Sequence, residues 1–260
     1  MADDARLAYL QARLQARHGD RPAADEWRVA EASIDLSHYL EALRRSSLKR
    51  WIGDLNPDMA PEAVERQLRA AWRDHVDQLA QWTPEDWQPA VAWLRWLPDL
   101  PAVDHLLRGN KVPSWMRADP VMRELAFDEL ARRREALSEG PLAPLLPPGE
   151  ADAPRSVDAW IDTWLRRLPK SARDPESALA GMLALLRDHL EAMRSCEERH
   201  GRALRSLLAG KLERSFRRGA GTTVALFAHL VLDGLELERV RAGVVSRRLL
   251  PERAEGRAWA

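Results

Sequence analysis

The sequence predicts an all-α protein, and three observations carry that expectation. Ala, Leu, Arg and Glu, all strong helix formers, dominate a chain with only 13 glycines in 260 residues. Apolar residues return every three or four positions along most of its length. No stretch alternates apolar and polar residues with β-branched enrichment, so no strand is expected. A chain this long can bury a substantial core, and eleven Trp, against three Phe and two Tyr, supply much of the material for it.

Each helix can be justified in order. Leu7, Leu10 and Leu14 line one face of the first, and Leu36, Tyr39, Leu40 and Leu43 line the next. Gly53 marks a stop. Pro61-Glu62 marks a start, with Pro at the first helical position where its missing N–H costs nothing. From there Val64, Leu68, Trp72, Val76 and Leu79 step through four turns. Thr83-Pro84-Glu85-Asp86 reads as a hydroxyl N-cap followed by Pro and acids, opening the helix of Val91, Leu94 and Leu97 with Trp93 and Trp96 beside it. Pro101 opens another that stops at Gly109. Asp119-Pro120 opens the stretch of Val121, Leu125 and Leu130, which ends at Gly140. Ser156 caps the helix of Trp160, Trp164 and Leu168, and Asp174-Pro175-Glu176 precedes Leu179, Leu183, Leu186, Leu190 and Met193. Leu204, Leu207, Leu208 and Leu212, then Leu226 to Leu237, complete the set. Short connections between them are those of a helical bundle.

One segment breaks the pattern. Ser138 to Arg155 holds five prolines and two glycines and cannot continue a helix. It reads as a linker or long loop, although Leu142, Leu145 and Leu146 are suited to packing on a neighbour. The expected organisation is an N-terminal helical unit over 1–137, this linker over 138–155, and a C-terminal helical unit over 156–260. A weak internal echo supports two similar units. Val64 to Leu79 followed by Leu97–Gly109 matches Leu179 to Met193 followed by Leu232–Gly243, each closing on an Asp-Leu region, Arg and Gly.

Composition excludes several classes of function. Forty basic residues balance forty acidic ones, against a broad nucleic-acid-binding surface. A single cysteine, Cys196, rules out an intramolecular disulfide framework and a multi-cysteine zinc site. The opening MADDARLAYL lacks the basic and apolar regions of a signal peptide, and the uncharged run Gly219 to Leu232 is too short to span a bilayer. The expectation is a soluble, cytoplasmic chain that meets a membrane only through a complex.

Motifs for catalysis are missing: there is no glycine-rich phosphate loop, no G-x-S-x-G and no H-E-x-x-H. Cys196 and His200, four apart on one helix face with Glu197 adjacent and His189 seven before Cys196, have the spacing of metal ligands, but a buried cysteine among helix carboxylates has it too. Asp104 and His105 offer a carboxylate and an imidazole near Asp99, yet adjacent helical positions point apart and no nucleophile accompanies them. Trp72, Trp82, Trp87, Trp93 and Trp96 suit a core or partner face better than a stacking platform, because Glu85 and Asp86 intervene where cations would be needed. The expectation is no catalytic residue, no metal and no cofactor. The strongest charge feature is Arg202, Arg205, Lys211, Arg214, Arg217 and Arg218 opposed by Glu213 alone, with Leu204, Leu208, Leu212 and Phe216 on the other side. Such a basic amphipathic helix is either a solvated face or a docking surface for an acidic partner or membrane.

Several segments together resemble the C/d subunit family of V- and A-type rotary ATPases. They are Ala63-Val64-Glu65-Arg66-Gln67-Leu68, Trp82-Thr83-Pro84, and Asp99-Leu100-Pro101-Ala102-Val103-Asp104-His105-Leu106-Leu107-Arg108-Gly109. Leu226 to Leu232 with Glu236-Leu237-Glu238-Arg239-Val240-Arg241 is similar to that family's C-terminal E-I-x-N-L-R helix, and Tyr9–Arg13 and Tyr39–Leu43 fit its opening helices. Ala102 and Arg239 stand where the family has Asn, and the chain holds about two helical units rather than the usual three, so it resembles a short, divergent member. The resemblance implies a funnel- or socket-shaped, non-catalytic central-stalk subunit that couples the rotor axle to the membrane proteolipid ring. Its partners would be axle subunits and ring, with no nucleic acid and no membrane span of its own. It implies structural or partner-binding roles for Asp99, Arg108, Glu236 and Arg241, to which the basic helix adds Arg202, Arg205, Lys211, Arg214 and Arg217. The other open reading is a helical adaptor or regulator that binds a different complex through a Trp-rich or basic surface.

Overall fold

The chain is all-α. A computed structural model describes residues 2–146, 156–172, 178–195 and 201–249, and every regular element among them is helical. They divide into two compact units: one of 1–85 with 169–260, the other of 86–168.

The larger unit holds α1 (Ala2–Gly19), α2 (Ala24–Ala32), α3 (Leu36–Arg44), α4 (Lys49–Ile52) and α5 (Pro61–Trp82). The smaller holds α6 (Gln88–Trp93), α7 (Leu100–Leu107), α8 (Ser114–Ala118), α9 (Leu130–Glu139) and α10 (Ser156–Arg167). The chain then returns to the larger unit with α11 (Ala178–Ser195), α12 (Gly201–Arg218) and α13 (Thr223–Leu249).

This division differs from the sequential one expected at 138–155. The first five helices pack with the last three, because α13 is the larger unit's central helix and touches α1, α3, α5, α11 and α12. Residues Val224 to Leu230 are buried without a break, which suits a helix surrounded on all sides. Leu10, Leu14, Tyr39, Leu43, Trp72, Val76, Leu212 and Phe216 close around it. Of the Pro-rich segment, 138–139 finish α9, Leu142 and Leu145 are buried around a 3-10 turn, and 147–155 lie outside the described residues.

The start and stop signals fared unevenly. Pro61 and Pro101 do sit in the first turns of α5 and α7, and Gly53 and Gly109 do end helices with φ of 43° and 75°, a region that favours glycine. Thr83 closes α5, its hydroxyl donating back to the Leu79 carbonyl at 2.7 Å, and the stretch after it begins as the 3-10 helix Glu85–Trp87. Asp119 caps only a turn, accepting from the backbone N–H groups of Val121 and Met122 at 2.9 and 3.1 Å before the short 3-10 helix Arg123–Leu125. Asp174-Pro175-Glu176 lies outside the described residues. The internal echo does not survive either. Its second copy, Leu232–Gly243, is the uninterrupted middle of α13, whereas its first copy breaks into a 3-10 helix, α7 and a left-handed glycine.

The smaller unit has its own core of Val91, Trp93, Val103, Leu106, Met122, Leu137, Leu145 and Trp164. Arg133 is 1% exposed within it. Its guanidinium donates to the carbonyls of Leu106, Asn110, Phe127 and Asp128, so a buried cation is satisfied by backbone at the end of α7 and just before α9.

Candidate functional site: a closed charge cluster beside an arginine-lined groove

The most concentrated chemistry in the larger unit lies where α13 crosses α1, α4 and α5. Positions 229, 233 and 236 follow helical spacing, so His229, Asp233 and Glu236 share one face of α13. Asp233 is fully buried and Glu236 is 3% exposed. His75 of α5 approaches Asp233 Oδ2 through Nε2 at 2.7 Å, and His229 Nε2 lies 3.1 Å from the same oxygen. Arg21, just after α1, and Arg50 of α4 donate to Asp233 Oδ1 at 3.0 and 2.9 Å. Glu236 Oε1 accepts from Arg50 at 2.6 Å and from the Trp51 indole at 2.7 Å, while its Oε2 lies 3.3 Å from Arg21. The Arg50 guanidinium rests on the Trp51 ring, 4.7 Å from the centroid.

The electrostatics follow from this enclosure. Burial by itself would raise the Asp233 carboxyl, but His229, His75 and Arg50 outweigh it and hold the group below the ordinary carboxylate range. Burial pushes His229 down to about 4, so its imidazole is neutral at pH 7, and neither ring nitrogen has a hydrogen-bond partner. Burial also acts to lower Arg50, but Asp233 and Glu236 more than offset it and raise its pKa.

His75, His229 and Asp233 bring three ligand-type atoms within 4.8 Å of one another, the grouping that could hold a cation among the described residues. The surrounding donors fit a hydrogen-bonded core better. Arg17 Nη1 lies 3.4 Å from His75 Nδ1. A guanidinium can only donate, so Nδ1 accepts and the imidazole proton sits on Nε2, facing Asp233 rather than leaving a lone pair for a metal. Two arginines already balance the two carboxylates, so a divalent ion would add uncompensated buried charge.

Beside this cluster, a groove of about 710 Å3 runs along α13 from Leu232 to Ser246, with α12 from Arg202 to Ala209 on one wall and Trp27 and Glu31 of α2 among its lining. Glu31 accepts from Arg239 at 2.7 Å and faces Arg202 at 3.8 Å. Its burial would raise its pKa, but Arg239, Arg202 and Arg247 hold it below the usual value. Arg239 lies over the Trp27 ring at 4.1 Å, and Arg247 lies over the Tyr39 ring at 4.1 Å. Arg247 also donates to the carbonyls of Glu31, Ser33 and Gly243.

The residues singled out from sequence scatter accordingly. Glu236, Arg202 and Arg205 meet at the groove. Arg241 donates to Glu65 of α5 at 2.7 Å and pairs with Glu238 at 3.3 Å. Lys211, Arg214 and Arg217 stand exposed farther along α12. Asp99 and Arg108 belong to the other unit, where Asp99 is buried at the start of α7 and Arg108 is an exposed cation 4.0 Å from Asp104. Asp104 accepts from the backbone N–H of Ser156 at 3.0 Å, capping α10, and His105 meets the Lys111 carbonyl at 2.9 Å, so the two are not a catalytic pair. His189 is half-buried, its pKa lowered by burial and then by Arg205 and Lys211, while Cys196, Glu197 and His200 lie outside the described residues.

The Trp-rich surface is corrected as well. Trp27, Trp51, Trp72, Trp93, Trp160 and Trp164 are buried and Trp82, Trp87, Trp96 and Trp115 half-buried, so no tryptophan stands exposed among the described residues. Sequence reasoning missed His75, Asp233, Arg21 and Arg50. The one available signal was a His and an Asp four apart, at the end of an otherwise uncharged run. No family model, curated protein or solved structure matches the chain. No described helix is long and apolar enough to cross a membrane.

Proposed function

We propose that the chain is a non-catalytic central-stalk subunit of a V/A-type rotary ATPase, coupling the rotor axle to the proteolipid ring from the cytoplasmic face of the inner membrane. The observation that carries this reading is the anchoring of α13 by Glu236 and Arg241, the two residues on which the C-terminal family resemblance rests. Glu236 ties the helix to Arg50 and Trp51 of α4, and Arg241 ties it to Glu65 of α5. A part that transmits torque needs helices that do not slip in register, and charge-assisted bonds to fixed partners resist such slip. The 27 residues of α13 form a strut about 40 Å long. The acids of the cluster are engaged by arginines, which suits a structural rather than a chemical role.

Affinity purification of the tagged chain from gently solubilised membranes of its native host, with a soluble-fraction control, tests the reading. Axle, catalytic and ring subunits are expected in fixed ratio. A clean preparation lacking all three, from cells that express the ATPase, overturns it. A second reading, a helical adaptor for a different complex, is favoured by the exposed Lys211, Arg214 and Arg217 on α12, and it predicts one specific partner without ATPase subunits.

A further inference from the structure

We infer that the groove between α12, α13 and α2 is a docking trench for an acidic amphipathic helix of a partner protein. The inference rests on the reading of the chain as a docking subunit, and it names the partner's chemistry. The first argument is length. The α13 lining runs from Leu232 to Ser246 along one face, a distance of about 21 Å at about 1.5 Å per residue. That matches several turns of a helix and far exceeds a single small anion.

The second argument is charge. Arg202, Arg205, Arg239 and Arg247 line the trench around one carboxylate of its own, Glu31. The other two acids of the lining are already matched, Glu236 by Arg21 and Arg50, and Glu238 by Arg241. Arg205 has no carboxylate within ion-pair distance among the described residues, and the Arg202 side chain is 84% exposed with Glu31 only at 3.8 Å. The surplus is positive and sits on the α12 wall, where a docked helix would present Asp and Glu.

The third argument is apolar surface. Trp27 and Leu232 are buried within the lining, and Ala209 of α12 and Ala242 of α13 are small enough to admit another helix closely. Leu235 of α13, half-buried, adds apolar surface to the same lining. Apolar anchors spaced along a helix and set in a groove, with charges at the rim, are the recurring form of helix-in-groove recognition.

The test places a photo-cross-linking phenylalanine at Ser206 or at Ser246, on opposite walls, in the full chain in its native host. The cross-linked peptides are then sequenced. Both positions are expected to reach one segment, rich in Asp and Glu, with apolar residues every three or four positions. The double variant Arg202→Glu/Arg205→Glu is expected to cut the yield about tenfold, and replacing two acids of the partner segment by Lys is expected to restore it. Arg202→Gln/Arg205→Gln repeats the experiment with charge removed rather than reversed, and circular dichroism checks that each variant is folded. No cross-link from either position, a cross-link to a basic segment, lipid or nucleic acid, or a yield indifferent to the arginines overturns the inference. Recovery of ATPase subunits without a cross-link sinks the trench alone. A cross-link to an acidic helix of an unrelated protein keeps the trench and removes the stalk reading.

Discussion

Asp233 bonds to three partners at once, the His75 imidazole on one oxygen and two guanidinium groups on the other, with His229 Nε2 3.1 Å away. Removing its charge leaves Arg21 and Arg50 with less anion than cation around them. Asp233→Asn keeps the shape and is expected to destabilise the protein by about 3–5 kcal/mol, read from urea unfolding. The neighbouring His229 sets a pH dependence. Its folded pKa, about 4, lies below its ordinary value of 6.5, so as pH falls the unfolded chain takes up the proton first. Stability is therefore full above about pH 6.5 and falls as pH drops from there to about 4, by about 3 kcal/mol for this residue. His18, lowered by burial and by Arg21, adds to the fall with the same sign. Unfolding free energies measured across that window are expected to show the slope, and His229→Gln is expected to flatten it. Asp233 acts with the same sign: its folded pKa is depressed, so its stabilisation is present above the ordinary carboxylate range and is lost as pH falls below it.

At the scale of elements, α13 depends on a glycine that its sequence advertises as a stop. Gly243 lies inside the helix, and a Cβ there would run into the hydroxyl and ring of the fully buried Tyr39 on α3. Gly243→Ala raises helix propensity yet is expected to cost about 1–3 kcal/mol through overpacking, seen as a lowered Tm. The same residue type at Gly234 faces Trp72 at 3.5 Å, ordinary contact, so Gly234→Ala is expected to be close to neutral in the same melt. Helix existence was readable where an apolar period runs for several turns, because period and propensity are local, but the short α2, α4 and α8 were not foreseen. Helix boundaries were readable where backbone geometry alone sets them, as at Pro61 and Gly109. They shifted where a residue had two possible uses, as at Thr83, whose hydroxyl donates back to Leu79 and closes α5.

The whole molecule folds as two units whose chain order is interleaved, 86–168 being set between the two parts of the larger one. Arg133 belongs to the smaller unit alone, and Arg133→Met leaves four carbonyls without their donor. The cost is expected to be about 3 kcal/mol. Amide exchange is expected to quicken about a hundredfold across 86–168 while α1 and α13 keep their protection. By itself the sequence determined the all-α class, most of the residues that turn inward (Leu97, Leu130 and Leu207 are exposed) and the presence of a basic stripe on α12, because periodicity and charge are written in neighbouring residues. Only the tertiary structure decided that the first five helices close around the last, and that His75, Arg21 and Arg50 meet Asp233. It also decided which tryptophans, Trp27, Trp51, Trp72, Trp93, Trp160 and Trp164, are buried in the cores. These arrangements depend on contacts between residues up to 217 positions apart, and no local pattern records which buried charge will find which partner.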